Sequence, residues 1–216
     1  MICFTPCVCH SQYPSHVQSK SANLIVLSGG TSVRFGSDKS QALLNGASLI
    51  SRILAAIPSN FSVVIVGEDP KISGSEYICV QENPKGGGPV AGFKAGIDAC
   101  TSELVVLVAV DMPFVLPSVI KLLNLVRVND DAVIFIDANG FAQPLAAVYR
   151  RESIQRALVD LGDVHGRSMR ELVSLLKVQE IVMTDDVKQV FMDIDTQADL
   201  SRAIAFLTQV KDNPQL

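Results

Sequence analysis

The chain lacks any long hydrophobic run. Its longest, Leu104 to Val110, falls far below the roughly 18 residues of a membrane-spanning helix, so no segment is expected to cross a bilayer. It also lacks a surplus of positive charge: 18 Lys and Arg face 22 Asp and Glu, for a formal net charge of -4. Without a global positive field, a nucleic-acid backbone has little to hold it by long-range attraction. A small anion is not excluded, because a few backbone N–H groups, one Lys and a metal ion act locally. No basic residue precedes Lys20, and the order of basic region, apolar stretch and small-residue cleavage site is missing. That argues against a secretory signal and for the cytoplasm. The five cysteines are an odd number for a disulfide framework, and Cys79 and Cys100 lie in apolar segments where a reduced thiol packs as a small hydrophobe. Cys3, Cys7, Cys9 and His10 make one irregular knuckle without a second pair, so a plain tail is the simpler reading than a zinc site.

Hydrophobic residues make up 48% of the 216 positions and charged residues only 19%, the balance of a chain that buries a large core in one domain. Residues 1–22 show no apolar period and read as an extension, residues 23–210 as a single domain, and 211–216 as a tail. Continuous apolar runs at Leu24 to Leu27, Val63 to Val66, Tyr77 to Val80 and Leu104 to Val110 predict buried strands. Helices are predicted at Ala47 to Ile57, Pro89 to Cys100 and Pro117 to Val126. Such alternation gives an α/β fold, a doubly wound, mostly parallel sheet with helices on both faces. A short antiparallel insertion follows at Ala132 to Asp137 and Gln143 to Tyr149, where Asn139 and Gly140 suit the positive φ angles of a tight hairpin. Beyond it come helices at Ser153 to Leu161 and Ser168 to Leu176, a strand at Val178 to Met183 and a last helix at Thr196 to Thr208.

Three glycines, Arg34 and Lys39 crowd the stretch Leu27-Ser28-Gly29-Gly30-Thr31-Ser32-Val33-Arg34-Phe35-Gly36-Ser37-Asp38-Lys39, directly after the first strand. Glycines let backbone N–H groups approach phosphate oxygens, and the two cations add charge where α/β sheets bind ligands. The loop is neither common fingerprint. Five residues separate Gly30 from Gly36 and Lys39 comes later, which does not fit a Walker A loop, and the dinucleotide G-x-G-x-x-G is absent. Gly86-Gly87-Gly88 before Pro89 offers a second close backbone approach, with a flexible loop as the plain alternative.

Asp111 ends the run Leu104 to Val110, which projects its carboxylate from the strand's carboxyl edge, where Mg²⁺ on a triphosphate needs one or two such groups. A cap for the following turn is the bland alternative. In Asp193-Ile194-Asp195-Thr196, alternation puts both carboxylates on one side of an extended segment, facing either metal and substrate or, for Asp195, the start of the last helix. His165, the one histidine inside the fold, has no Ser or Cys motif to form a triad; Gly166-Arg167-Ser168 beside it suits contact with an anion.

Taken in order, these residues resemble the molybdenum cofactor guanylyltransferases, of the nucleoside-triphosphate transferase fold, over about Leu24 to Leu207. That family carries Leu-Ala-Gly-Gly, Arg-Met-Gly and Asp-Lys, similar to Leu27-Ser28-Gly29-Gly30, Arg34-Phe35-Gly36 and Asp38-Lys39, with Ser28 and Phe35 as departures. Its Gly-Pro-Leu-Ala-Gly resembles Gly88-Pro89-Val90-Ala91-Gly92, its Cys-Asp-x-Pro resembles Val110-Asp111-Met112-Pro113, and Gln143-Pro144 and Asp193-Ile194-Asp195-Thr196 have counterparts too. The resemblance implies transfer of GMP from GTP to the terminal phosphate of molybdenum-molybdopterin. It implies Arg34, Lys39 and Asp111 as catalytic and Asp111 as the Mg²⁺ ligand. Nucleotide contacts fall on Leu27, Ser28, Gly29, Gly30, Lys39, Asn83, Gly88 and Asp111, and acceptor contacts on Arg167, Ser168, Asp193 and Asp195. The family's guanine-contacting Asn after the second strand is replaced here, near Val66 or Gly67, and its acidic or amide position falls near Glu82 and Asn83. Implied partners are the two small-molecule substrates and, transiently, molybdoenzymes or their chaperones, with no nucleic acid and no membrane. The alternatives are another base or acceptor on the same fold, such as a cytidylyl or sugar-phosphate transferase, or a non-catalytic carrier. Deleting residues 1–22 should leave melting temperature and turnover unchanged, whereas a loss of either, or zinc bound only by the full chain, would give the cysteine cluster a role.

Overall fold

The computed structural model describes residues 22–29 and 42–212. In chain order it contains β1 (Asn23–Leu27), β2 (Leu43–Leu44), β3 (Ala47–Ser48), α1 (Leu49–Ala55), β4 (Ser62–Val66), β5 (Ile78–Val80), α2 (Pro89–Asp98), β6 (Leu104–Ala109) and α3 (Leu116–Lys121). After a 3-10 turn at Leu122–Leu125 follow β7 (Ala132–Ile136), β8 (Ala142–Arg150), α4 (Arg151–Leu161), α5 (Met169–Val173), β9 (Val178–Val182), α6 (Asp185–Val190) and α7 (Gln197–Asp212). Among the described residues no helix is long and apolar enough to cross a membrane.

Seven strands form one sheet in the order β5-β4-β1-β6-β8-β7-β9, and only β8 runs antiparallel to its neighbours. Every residue of β1 and β6 is buried. A strand covered on both faces has no room for polar alternation, which is why Leu24 to Leu27 and β6 read as unbroken aliphatic runs. One face packs against α1, α3 and α7 through Ile50, Ile53, Leu116, Val119 and Ala203. The other packs against α2, α4 and α5 through Phe93, Ile97, Ile154, Leu158 and Leu172. Each such side chain removed from water is worth about 1.5–3 kcal/mol. The α/β, doubly wound, mostly parallel sheet with an antiparallel insertion is therefore the observed architecture.

Two buried polar groups tie the sheet together. Asn23 Oδ1 accepts from the N–H groups of Thr101 and Ser102 at 2.9 and 2.7 Å, fixing the turn into β6 against the start of β1. Tyr149 is wholly buried beside Phe93, with ring centroids 5.0 Å apart, and its hydroxyl donates to the Pro144 carbonyl at 2.6 Å. Burial pushes its phenol pKa upward, so it stays neutral and holds the start of β8 down.

Two local expectations change, and one helix has no counterpart among the predicted elements. The turn between β7 and β8 has positive φ only at Gly140 and not at Asn139. Asp137 organises it instead: its carbonyl accepts from Gly140 N–H at 3.0 Å and its carboxylate from Asn139 and Phe141 N–H at 2.8 and 2.9 Å. The tight Asn-Gly hairpin occurs elsewhere, at Asn45 (φ 52°) and Gly46 (φ 82°) between β2 and β3. It takes Ala47 and Ser48 from the predicted helix, and Ser48 becomes the cap of α1, accepting from Ser51 N–H at 3.2 Å. Lastly, the stretch leading to Phe191 is helix α6, which has no buried residue and hence no apolar period to announce it.

Helix α2 comes unusually close to the sheet. A Cβ at Gly96 would lie 2.9 Å from both Ile25 Cδ1 and Cγ2 and 3.1 Å from Val66 Cγ2, whereas one at Gly92 would meet its neighbours at 3.6 Å. Because Ile25 is itself fully buried, Gly96→Ala should cost about 1–3 kcal/mol through overpacking. Gly92→Ala should be neutral or gain up to about 1 kcal/mol of helix propensity. Chemical denaturation of the two variants checks the contrast.

Candidate active site

From β1 the chain builds β4 and β5 on one side, then crosses over to place β6 on the other. Such a reversal leaves a crevice at the carboxyl ends of the two central strands. Leu27, Ser28 and Gly29 end β1 there, and Val110 and Asp111 end β6. Strand pairing continues past the formal ends: Ser28 N–H donates to Val66 O at 2.8 Å and Val110 N–H to Leu27 O at 3.0 Å. The Leu27 side chain belongs to the core, Ser28 is half-buried and Gly29 is exposed. Gly30, Arg34 and Lys39 lie outside the described residues.

Gly67, near which the resemblance puts a guanine contact, also has a steric role. It takes φ of 139°, and a Cβ there would lie 2.9 Å from Gly29 N and 3.1 Å from Ser28 C, so only glycine lets the exit of β4 lie against the β1 loop. Its only signal is a glycine directly after the run Val63 to Val66.

The second glycine loop meets the same edge. A Cβ at Gly87 would sit 2.7 Å from Ala91 Cβ, and Gly88 (φ 89°) leads into α2 with Pro89 in the first turn and no side-chain cap. The first-turn N–H groups of α2 are thus left for water or an anion. Glu82 Oε1 accepts from Gly86 N–H at 3.0 Å, Lys85 pairs with Glu68 at 3.0 Å, and Asn83 is exposed between them.

Against this loop lies the turn carrying Arg167 and Ser168. Gly166 N–H donates to Gly87 O at 2.8 Å, and a Cβ at Gly88 would lie 3.8 Å from Gly166 Cα. Ser168 caps α5 in a reciprocal box: its hydroxyl accepts from Glu171 N–H while its own N–H donates to Glu171 Oε2 at 2.8 Å. Arg167 donates to Glu171 Oε1 at 2.8 Å and to the Asp163 carbonyl at 3.2 Å. Led by the Ser168 N–H bond, then the Arg167 guanidinium and the Ser168 hydroxyl, these partners pull the Glu171 carboxyl down to about 2. His165 stands exposed in this turn.

On the opposite wall, Ile194 is fully buried between exposed Asp193 and Asp195, and its N–H donates to Asp111 O at 3.0 Å. The structure therefore brings the Asp193–Asp195 segment to the half-buried Asp111. The residue before α3 is Val115, with no side-chain cap. At α7 the exchange is between Thr196 and Asp199: Asp199 Oδ2 accepts from Thr196 N–H and Oγ1, each at 2.7 Å, and its N–H donates to Thr196 Oγ1 at 3.2 Å. Asp195 donates its N–H to Asp199 at 3.1 Å. The Thr196 hydroxyl first, with Arg202 and the two backbone donors behind it, holds the Asp199 carboxyl at about 2. Among the described residues no three His, Cys, Asp or Glu side chains converge as a metal cluster.

The sequence pattern of the MobA-like NTP transferase domain matches residues 24–180. A "Probable molybdenum cofactor guanylyltransferase" of Bacillus cereus is 31% identical over 169 residues, covering 74% of this chain and 84% of that protein. One of the same name from Pelotomaculum thermopropionicum is 25% identical over 187 residues, covering 83% and 90%. The crystal structure of molybdopterin-guanine dinucleotide biosynthesis protein A from Archaeoglobus fulgidus superposes with a TM-score of 0.67 at 27% identity, covering 87% of this chain and 99% of that one. The 2-C-methyl-D-erythritol 4-phosphate cytidylyltransferase of Thermus thermophilus, at 16% identity and a TM-score of 0.62, shares the fold.

The two capping carboxylates make site architecture depend on pH. Their folded pKa values lie below the ordinary 4.5 of Glu171 and 3.8 of Asp199. Their stabilisation is thus complete above those values and is lost as pH falls towards about 2. Thermal melts should show a falling melting temperature across that window. Asp199→Asn should be less stable at neutral pH and less sensitive to acid.

Proposed function

The chain belongs to the MobA-like NTP transferase family, and from that membership we propose that it transfers GMP from GTP to the terminal phosphate of molybdenum-molybdopterin. The observation that carries this reading is the meeting, at one sheet edge, of two glycine loops, the uncapped start of α2 and Asp111 with the Asp193–Asp195 segment bonded to its backbone. The guanylyltransferase relatives support the choice of base and acceptor.

An acceptor phosphate oxygen attacks the α-phosphorus of GTP; the bond from that phosphorus to the bridging oxygen breaks, and pyrophosphate leaves with its electron pair. The attacking phosphate is already ionised, so positioning and charge neutralisation matter more than a general base. Backbone N–H groups of the β1 loop and of α2's first turn bind the triphosphate. Arg34 and Lys39 offset charge on the transferring group and on pyrophosphate. Arg167 and Ser168, in the turn against Gly87, and Asp193 and Asp195 border the acceptor side, and Asn83 borders the nucleotide loop. Asp111 is a hard oxygen donor at the carboxyl edge of β6, and one such carboxylate fits a Mg²⁺ that would take the rest of its shell from phosphate and water. When bound, that ion supplies neutralisation of triphosphate charge.

Calorimetry with Mg²⁺ should show GTP binding at least tenfold tighter than CTP, about 1.4 kcal/mol, and pyrophosphate should appear on adding molybdenum-molybdopterin. Asp111→Asn should nearly abolish transfer and metal-dependent GTP binding. Lys39→Ala should lower turnover without lowering the melting temperature, and Asp193→Ala or Asp195→Ala should mainly raise KM for the acceptor. A preference for CTP overturns the base assignment, and normal Mg²⁺ dependence in Asp111→Asn overturns the metal assignment.

A further inference from the structure

Beside the crevice, a cavity of about 440 Å³ opens between the start of β8 and α5, lined by Ala142, Pro144, Ser168, Arg170 and Val173. Its place in the fold follows from strand register. Ala146 pairs with Val108, so Pro144, two residues earlier in antiparallel β8, lies alongside the end of β6 that carries Asp111. Its other wall is α5, whose cap Ser168 belongs to the turn bonded to Gly87. The cavity thus adjoins the crevice on the side away from β4 and β5. Its volume is within the roughly 300–1,000 Å³ of small-molecule sites.

The lining is apolar at Ala142, Pro144 and Val173, and the Ser168 hydroxyl is already exchanged with Glu171. That leaves Arg170. Its guanidinium makes no hydrogen bond or ion pair with any described residue. Arg52, Arg150, Arg151, Arg156, Arg167 and Arg202 each bond a partner within the fold, and Arg127, whose guanidinium is likewise unbonded, is not among the residues lining the cavity. Apolar walls with one uncommitted planar donor suit a flat heterocycle whose edge carries oxygen and nitrogen acceptors.

We propose that this cavity holds the ring system of the acceptor, and that Arg170 is a specificity-determining residue that donates to the acceptor-rich edge of a pterin. This rests on the guanylyl-transfer reading above. With the acceptor's phosphate directed to the crevice near Asp111, its ring end needs a neighbouring recess outside the nucleotide loops, and the cavity is that recess. The pterin then lies against Pro144 and Val173, and the chain distinguishes acceptors by the ring remote from the reacting phosphate.

The test uses the full chain with Arg170→Gln, and with Ala142→Phe to fill the cavity from the exposed start of β8. Both variants should raise KM for molybdenum-molybdopterin by about tenfold, with turnover at saturating acceptor and Kd for GTP within about twofold of the parent. Arg170→Lys should recover part of the loss in Arg170→Gln. Molybdopterin binding followed by pterin fluorescence should weaken in parallel. Unchanged acceptor KM in both variants would overturn the proposal, and so would an equal loss of GTP affinity, which would assign the cavity to the nucleotide. No pyrophosphate release by the unaltered chain would instead sink the guanylyl reading, and this pocket assignment with it.

Discussion

The site depends first on how closely α2 is pressed onto β1 and β4. Gly96 removes a side chain from the contact, which lets the helix lie against Ile25 and Val66 with no intervening layer. A helix held at that distance brings its first turn to the carboxyl edge of the same two strands. Its N-terminal N–H groups are therefore delivered to the crevice by packing, without a side chain to guide them. Gly67 does the equivalent job between strands, since any Cβ there would collide with the β1 loop.

The walls of the crevice are set by a different device used twice. Each wall is a short connection fastened to the helix that follows it by a reciprocal cap, Ser168 with Glu171 and Thr196 with Asp199. Each connection also makes one backbone bond to the nucleotide side, Gly166 to Gly87 and Ile194 to Asp111. A cap stiffens the turn that precedes its helix, and the backbone bond then fixes where the stiffened turn sits. Side chains such as Asp193 and Asp195 are positioned by neighbours that do no chemistry.

Much of this was legible beforehand, and for a specific reason. Buried parallel strands must be aliphatic at consecutive positions, so β1, β4 and β6 declared themselves, and the residue after β6, Asp111, was placed at the sheet edge by that alone. The failures share a cause too. Helix α6 has no fully buried residue, and β2 and β3 have two residues each, so none of them shows a period. Asn139-Gly140 carried the turn signal, but Asp137 captured the backbone donors and changed the turn. The contact of Ile194 with Asp111 joins residues far apart in the chain across a helix that gave no signal, and depends on α7 docking. The cavity was invisible because Ala142, Pro144 and Val173 each read as ordinary packing residues until β8 and α5 were set side by side.

The bond from Ile194 to Asp111 also sets an order in time. A chain made from its N-terminus presents both glycine loops, the start of α2 and Asp111 itself before residue 194 exists. The family pattern, which spans residues 24–180, likewise ends before it. The nucleotide side of the crevice is thus the older half in every newly synthesised molecule, and the segment that bonds the backbone of Asp111 arrives only with the last helix. Translation leaves the wall beside Asp111 to be closed from the C-terminal end.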